Sequence, residues 1–128
     1  MTGGREAGEW ILRHTPAGSR FLAIGPSVAN VLEFYGHHQV SALSVSTNPH
    51  DRNPSYAPVV NPDLDLRQGE FQYIVWDAYT ASHSRYFARK VLRLVRRFHG
   101  AVVYTSASTV RLAPHTVRPA ITIYEVHP

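Results

Sequence analysis

Three Asn-Pro pairs, at residues 48–49, 53–54 and 61–62, fall within one stretch between Val45 and Phe71. Each proline lacks a backbone donor and biases the residue before it away from the α region. The stretch STNPHDRNPSYAPVVNPDLDLRQGE is therefore too proline-rich for a helix, and its apolar residues Tyr56, Val59, Val60, Leu64 and Leu66 fit no sustained helical or strand period. It predicts a long connection that splits the chain into two runs of regular structure. Connections beyond about 12–15 residues are uncommon in compact domains and are usually functional or disordered. This one gathers Asn48, His50, Asp51, Arg52, Asn53 and Tyr56, side chains suited to a polar ligand or partner.

On either side of it, short apolar strands alternate with helices. Arg5 to His14 reads as a helix with Ala7, Trp10 and Ile11 on one stripe, ended by the turn Thr15-Pro16-Ala17-Gly18. Arg20 to Ile24 reads as a buried strand. A helix then starts at Pro26, runs through Val28, Val31, Leu32 and Tyr35, and stops at Gly36. Val40 to Val45 is a second strand, and Phe71 to Trp76 (FQYIVW) is the strongest in the chain. The segment DAYTAS reads as a polar turn before the longest helix, about His83 to Phe98, which Gly100 ends. Ala101 to Tyr104 is a strand, Thr105 to Arg118 a loose connection, and Ala120 to Val126 a final strand.

This alternation predicts a single α/β domain over residues 1–128. The expected architecture is a small Rossmann-like or flavodoxin-like three-layer sandwich with a mostly parallel sheet of about five strands, in the order 2-1-3-4-5. The last strand has no helix before it and is expected antiparallel at one edge. In such a sheet ligands sit beyond the carboxyl ends of the strands, where the Gly25-Pro26-Ser27 turn, the start of the long connection and Asp77 converge.

Composition excludes several classes. No segment approaches the roughly 18–20 apolar residues that cross a bilayer, and the N-terminus has no signal-peptide core. Cysteine is absent, which removes disulfides, thiolate catalysis and Cys-based zinc sites and leaves the redox compartment open. The net charge of +4 comes from twelve Arg and one Lys against nine acids. Heavy arginine use can reflect a GC-rich genome, so the charge is weak evidence for nucleic acid, and none is assigned as a partner.

The remaining constellations have modest readings. Ser27 sits where helix N-terminal donors could meet a phosphate, but GxGxxG and GxxxxGK[ST] are both missing, so an ordinary helix cap is the stronger reading and no cofactor is assigned. His37 and His38 are adjacent, and no ligand spacing joins them to His50, Asp51 or His83, so no metal is assigned. Asp77 ends the strongest strand near Tyr79 and His83, where it could orient a base or bind hydroxyls; its plainer role is to satisfy turn amides. Ser82 is the expected N-cap of the long helix. No nucleophile elbow is present, and no residue is assigned as catalytic.

The long helix carries Arg85, Arg89, Arg93 and Arg96 on one face, away from the stripe of Phe87, Val91, Leu94 and Phe98, with no acidic residue among them. A solvated face is the common explanation for such a pattern. An anionic surface, either lipid headgroups or the acidic face of a partner, is the next.

The strings GEWILRHTPAGSRFLAIGPSVANVLEFYG, LSVSTNPHDRNPSYAPVVNPD and GEFQYIVWDAYTASHS resemble the soluble C-terminal region of actinobacterial membrane glycosyltransferases. These are similar to the dolichyl-phosphate-mannose–protein mannosyltransferase family (family 39) and to the aminoarabinose transferases. The resemblance covers about Gly8 to Gly100. It implies a parent with a multi-spanning membrane core that uses a polyprenyl-phosphate-linked sugar, its catalytic acids lying in a loop of that core. No catalytic residue carries over to this chain. Its implied place is the extracytoplasmic face of the membrane, packed on its own membrane-spanning core. An initial Met fits an excised fragment as easily as a natural start.

Three functions therefore compete. The favoured one is a non-catalytic accessory domain of such a transferase, shaping an acceptor or donor site. The second is a free-standing α/β domain that binds a small anionic or sugar-type ligand at the carboxyl edge. The third is an adaptor for an anionic surface through the arginine face.

Overall fold

The computed structural model of the chain describes residues 1–43 and 59–128. Its elements are α1 (Gly4–His14), β1 (Arg20–Ala23), α2 (Pro26–Gly36), β2 (Gln39–Ala42), α3 (Pro62–Arg67), β3 (Tyr73–Asp77), α4 (Ala78–His83), α5 (Arg85–Arg97), β4 (Ala101–Thr105), β5 (Thr109–Ala113), β6 (Thr116–Pro119) and β7 (Ile121–Glu125). β5 and β6 form a separate two-stranded sheet, and the other five strands form a mixed sheet in the order β2-β1-β3-β7-β4.

Side chains on a strand alternate between faces, and the two central strands use both. Phe21 and Ala23 of β1, with Tyr73 and Val75 of β3, pack with Ala7 and Ile11 of α1 and with Val28, Ala29 and Leu32 of α2. The intervening residues Leu22 and Ile74, with Ile24, pack with Leu66 of α3, Ala81 of α4, and Val91, Leu94 and Val95 of α5. Two hydrophobic clusters thus lie on opposite sides of one sheet.

The sheet departs from the expected one in two ways. Only β1–β2 and β1–β3 are parallel; β3–β7, β7–β4 and the β5–β6 hairpin are antiparallel, so antiparallel pairs form the majority among the described residues. The closing strand, expected at an edge, lies between β3 and β4. The reason is the hairpin: α4 and α5 carry the chain past β3 to β4, and β5–β6 then turns it back so that β7 fills the vacant slot. Burial agrees. Ile121 and Ile123 are fully buried and Thr122 nearly so, whereas β4, the true edge, exposes Val102 and Val103.

Three local expectations also need correction. Asn61-Pro62 does not interrupt a helix; it starts α3. The Asn61 side chain accepts from the Leu64 amide at 3.1 Å, and Pro62 occupies a first-turn position where its missing donor costs nothing. The segment DAYTAS is not a turn: Asp77 caps α4, and α5 begins only at Arg85 with Ser84, not Ser82, before it. The loose connection after Tyr104 contains the hairpin. At the end of α2, Gly36 is the last helical residue, and His37 takes the left-handed position with φ 56°.

Gly36 is needed instead for close packing, because a Cβ there would sit 3.0 Å from Cγ2 of Ile11. Gly8 is the tighter case: its added Cβ would lie 2.5 Å from Cβ of Tyr35, an atom that cannot swing away. Gly8→Ala should therefore overpack the α1–α2 interface and lower stability by about 1–3 kcal/mol in urea or thermal unfolding. Unchanged stability would mean that the two helices do not approach so closely.

Burial, aided by Glu125, raises the phenol pKa of Tyr73, which stacks on Phe21 at 4.8 Å. Burial, aided by Glu6, likewise raises that of Tyr104, which stacks on Trp10 at 5.1 Å. An acid whose folded pKa is raised is held neutral by the fold. Its contribution is complete below the unfolded value, about 10, and fades as pH rises through the higher folded value. Stability should thus fall above about pH 10, and Tyr73→Phe should flatten that fall. An unaltered alkaline profile in the variant would contradict the assignment.

Candidate functional site

β1 and β3 run parallel, so their carboxyl ends lie side by side. Each is followed directly by a helix start: Pro26 and Ser27 open α2 after β1, and Asp77 caps α4 after β3. A cavity of about 370 Å³ occupies this edge, lined by Met1, Thr2, Ser27, Asp77, Tyr79, Thr80 and Val110. The chain's amino end and the β5 strand supply its outer wall.

Asp77 is the centre of the site. It is 2 % exposed. One carboxylate oxygen accepts from the Tyr79 amide at 3.1 Å, and the other accepts from the Thr80 hydroxyl. Its backbone is held by β3–β7 pairing with Ile121, and the Ala78 amide donates to the Ala120 carbonyl at 3.0 Å. The carboxylate is thus fixed at the cavity wall, and each oxygen retains capacity to accept a further hydrogen bond. Thr2, Ser27, Tyr79 and Thr80, four residues that carry hydroxyls, also line the cavity. No His, Lys or Arg lines the cavity among the described residues. The arrangement is equipped to accept and donate hydrogen bonds around a hydroxylated molecule.

The sequence candidates separate into groups. Ser27, Asp77 and Tyr79 line one cavity. His83 does not: its Nδ1 lies 2.8 Å from the Tyr79 carbonyl and 3.0 Å from Oγ of Ser82, and its ring leans on Tyr79 with centroids 4.5 Å apart. Asn48, His50, Asp51, Arg52, Asn53 and Tyr56 lie outside the described residues. His37 takes the left-handed backbone position after α2. His38 has both ring nitrogens against backbone carbonyls, those of Gly36 at 2.7 Å and Pro16 at 2.9 Å. No group of three potential metal ligands occurs among the described residues.

Thr80 was not among the candidates, although its position three residues after Asp77 in D-A-Y-T is a local signal for a side chain meeting the cap. Met1, Thr2 and Val110 reach the cavity only through tertiary packing, and no sequence signal marks them.

Arg85, Arg89, Arg93 and Arg96 are all exposed on α5, and none makes an ion pair among the described residues. Arg97, on the flank of that face, is bound to Asp63 of α3 at 2.7 Å. No helix among the described residues is long and apolar enough to cross a membrane.

Comparison with protein-family models, with curated proteins and with solved structures finds no match for this chain.

Asp77→Ala should remove the α4 cap and cost about 0.5–2 kcal/mol, with Asp77→Asn, which keeps an acceptor, losing less. Equal stability of Asp77→Ala and the parent chain in urea unfolding would show that the carboxylate does not hold this edge.

Proposed function

We propose that this chain is a non-catalytic extracytoplasmic accessory domain of a polyprenyl-phosphate-sugar-dependent membrane glycosyltransferase, and that its carboxyl-edge cavity helps to shape an acceptor or donor site. The observation that carries the reading is the cavity itself. About 370 Å³ of space is bordered by four hydroxyl-bearing residues and by Asp77, whose carboxylate is anchored. Such groups recognise a sugar through directional hydrogen bonds to its hydroxyls. Asp77 is the charged side chain in the lining, so a hydroxylated ligand suits this cavity better than a phosphate. The phosphate of a lipid-linked donor then belongs to the membrane-spanning core, which is the partner under this reading. Support for the parent class comes from the resemblance of strings over about Gly8 to Gly100. The finer fold description, a Rossmann-like or flavodoxin-like sandwich, accords with the parallel β2-β1-β3 run and with helices against both of its faces.

A free-standing α/β domain that binds a sugar-type ligand is the second reading. It draws on the same cavity lining, with Ser27, Asp77, Tyr79 and Thr80 as the polar residues nearest a bound sugar. The gene upstream of Met1 separates the two. Membrane-spanning segments encoded there are expected, and a gene that begins at Met1 without them would overturn the accessory role. Under either reading, calorimetry with simple hexoses should detect weak binding that Tyr79→Ala reduces by about five- to ten-fold, the loss of roughly one hydrogen bond. Sugar transfer catalysed by the isolated chain would sink the non-catalytic assignment.

A further inference from the structure

The cavity leaves the outward face of α5 without a role. That helix buries Ala88, Val91, Leu94 and Val95 against the sheet. At 100° per residue, Arg85, Arg96, Arg89 and Arg93 fall within one arc on the opposite side, with Tyr86 and Arg97 at one margin and Leu92 at the other. Thirteen residues at about 1.5 Å each make this a strip roughly 20 Å long.

Five arginines elsewhere are matched by carboxylates, whereas Arg111 and Arg118 of the hairpin have no ion pair among the described residues. Glu9 takes Arg5 and Arg13, Asp63 takes Arg67 and Arg97, and Glu70 takes Arg20. The four arginines on the outer face of α5 have no such neighbour among the described residues, and the first turn carries no acid. Beside them, apolar surface is left in water: Tyr86 is 68 % exposed and Leu92 38 %.

We propose that this face of α5 docks onto an anionic lipid headgroup surface. A convex strip of guanidinium groups, without ion pairs among the described residues, complements a plane of negative charge, where each basic residue near the surface contributes about five-fold in partitioning. Tyr86 supplies the amphipathic ring that favours the headgroup level. A nucleic-acid groove would call for several stacking aromatics, and Tyr86 is alone on this face. A protein partner would call for an anchoring pocket, and a single convex helix provides none. The inference stands on the charge and exposure of α5 and does not depend on the cavity or on the parent protein.

The test uses the whole chain with phosphatidylcholine vesicles, with and without phosphatidylglycerol, in a co-sedimentation assay. Binding is expected only when phosphatidylglycerol is present. It should weaken as ionic strength rises from about 0.1 M to 1 M, because the screening length shrinks from about 10 Å to 3 Å. Replacing Arg85, Arg89, Arg93 and Arg96 by Gln should abolish binding, and replacing all four by Lys should retain it, with unchanged thermal unfolding in both because the four side chains are exposed. The hairpin pair Arg111→Gln and Arg118→Gln serves as a control and should leave binding intact. Absence of binding to the anionic vesicles, persistence in the Gln variant, or an equal loss in the hairpin control would overturn the proposal. Stronger retention by duplex DNA or polyglutamate than by the vesicles would overturn the lipid assignment.

Discussion

Burial of β1 and β3 on both faces is the constraint from which most of this structure follows. A strand buried on one face alternates apolar and polar residues; these two are apolar between Arg20, which opens β1, and Asp77, which ends β3, as FLA and YIVW illustrate. Such strands need cover on each side, so the helices must divide into two groups: α1 and α2 against Phe21 and Tyr73, and α3 to α5 against Leu22 and Ile74. Because both strands run the same way, their carboxyl ends and the helix starts that follow them come to one edge. The position of the cavity is a consequence of this arrangement.

The same constraint explains why Asp77 is structural before it is anything else. A strand buried on both faces must end where its backbone can turn into a helix, and the first amides of that helix need acceptors. Asp77 meets the Tyr79 amide and the Thr80 hydroxyl, which holds the carboxylate in a fixed orientation at the cavity wall. On the other side of the cavity, α2 is positioned by its close approach to α1, where Gly8 and Gly36 remove the side chains that would keep the helices apart. The two walls are therefore set by different means, one by a cap and one by packing.

Much of the fold was legible in the chain. Ala7 and Ile11 were expected on one helical stripe and are both fully buried; FQYIVW was expected as the strongest strand and contains the strand at the centre of the sheet. The misreadings were of two kinds. Prolines and polar residues that read as breaks in the sequence serve as helix starts: Asn61-Pro62 opens α3 and Asp77 opens α4. Local propensity is ambiguous there, because the residues that stop one element also begin the next. The second kind concerned order. Nothing local in ITIYEV distinguishes an edge strand from an interior one, since the pattern of both is short and apolar; its neighbours on either side decide it. The candidate site divided in the same way: Asp77 and Ser27 were visible as residues following strands, whereas Thr2 and Val110 were not visible at all.

By itself the sequence determined the types of α1, α2, α5 and of β1 to β4 and β7, the burial of β1 and β3, and the grouping of arginines on one side of α5. These are properties of residues within one or two turns of each other, governed by side-chain periodicity and the chemistry of helix starts. Only the tertiary structure decided that β7 enters the sheet between β3 and β4, that α1 and α2 meet through glycines, and that the amino end and β5 close the cavity around Asp77. Those depend on which surfaces, distant along the chain, exclude water together. Periodicity shows that a face must be buried; what buries it is decided by packing.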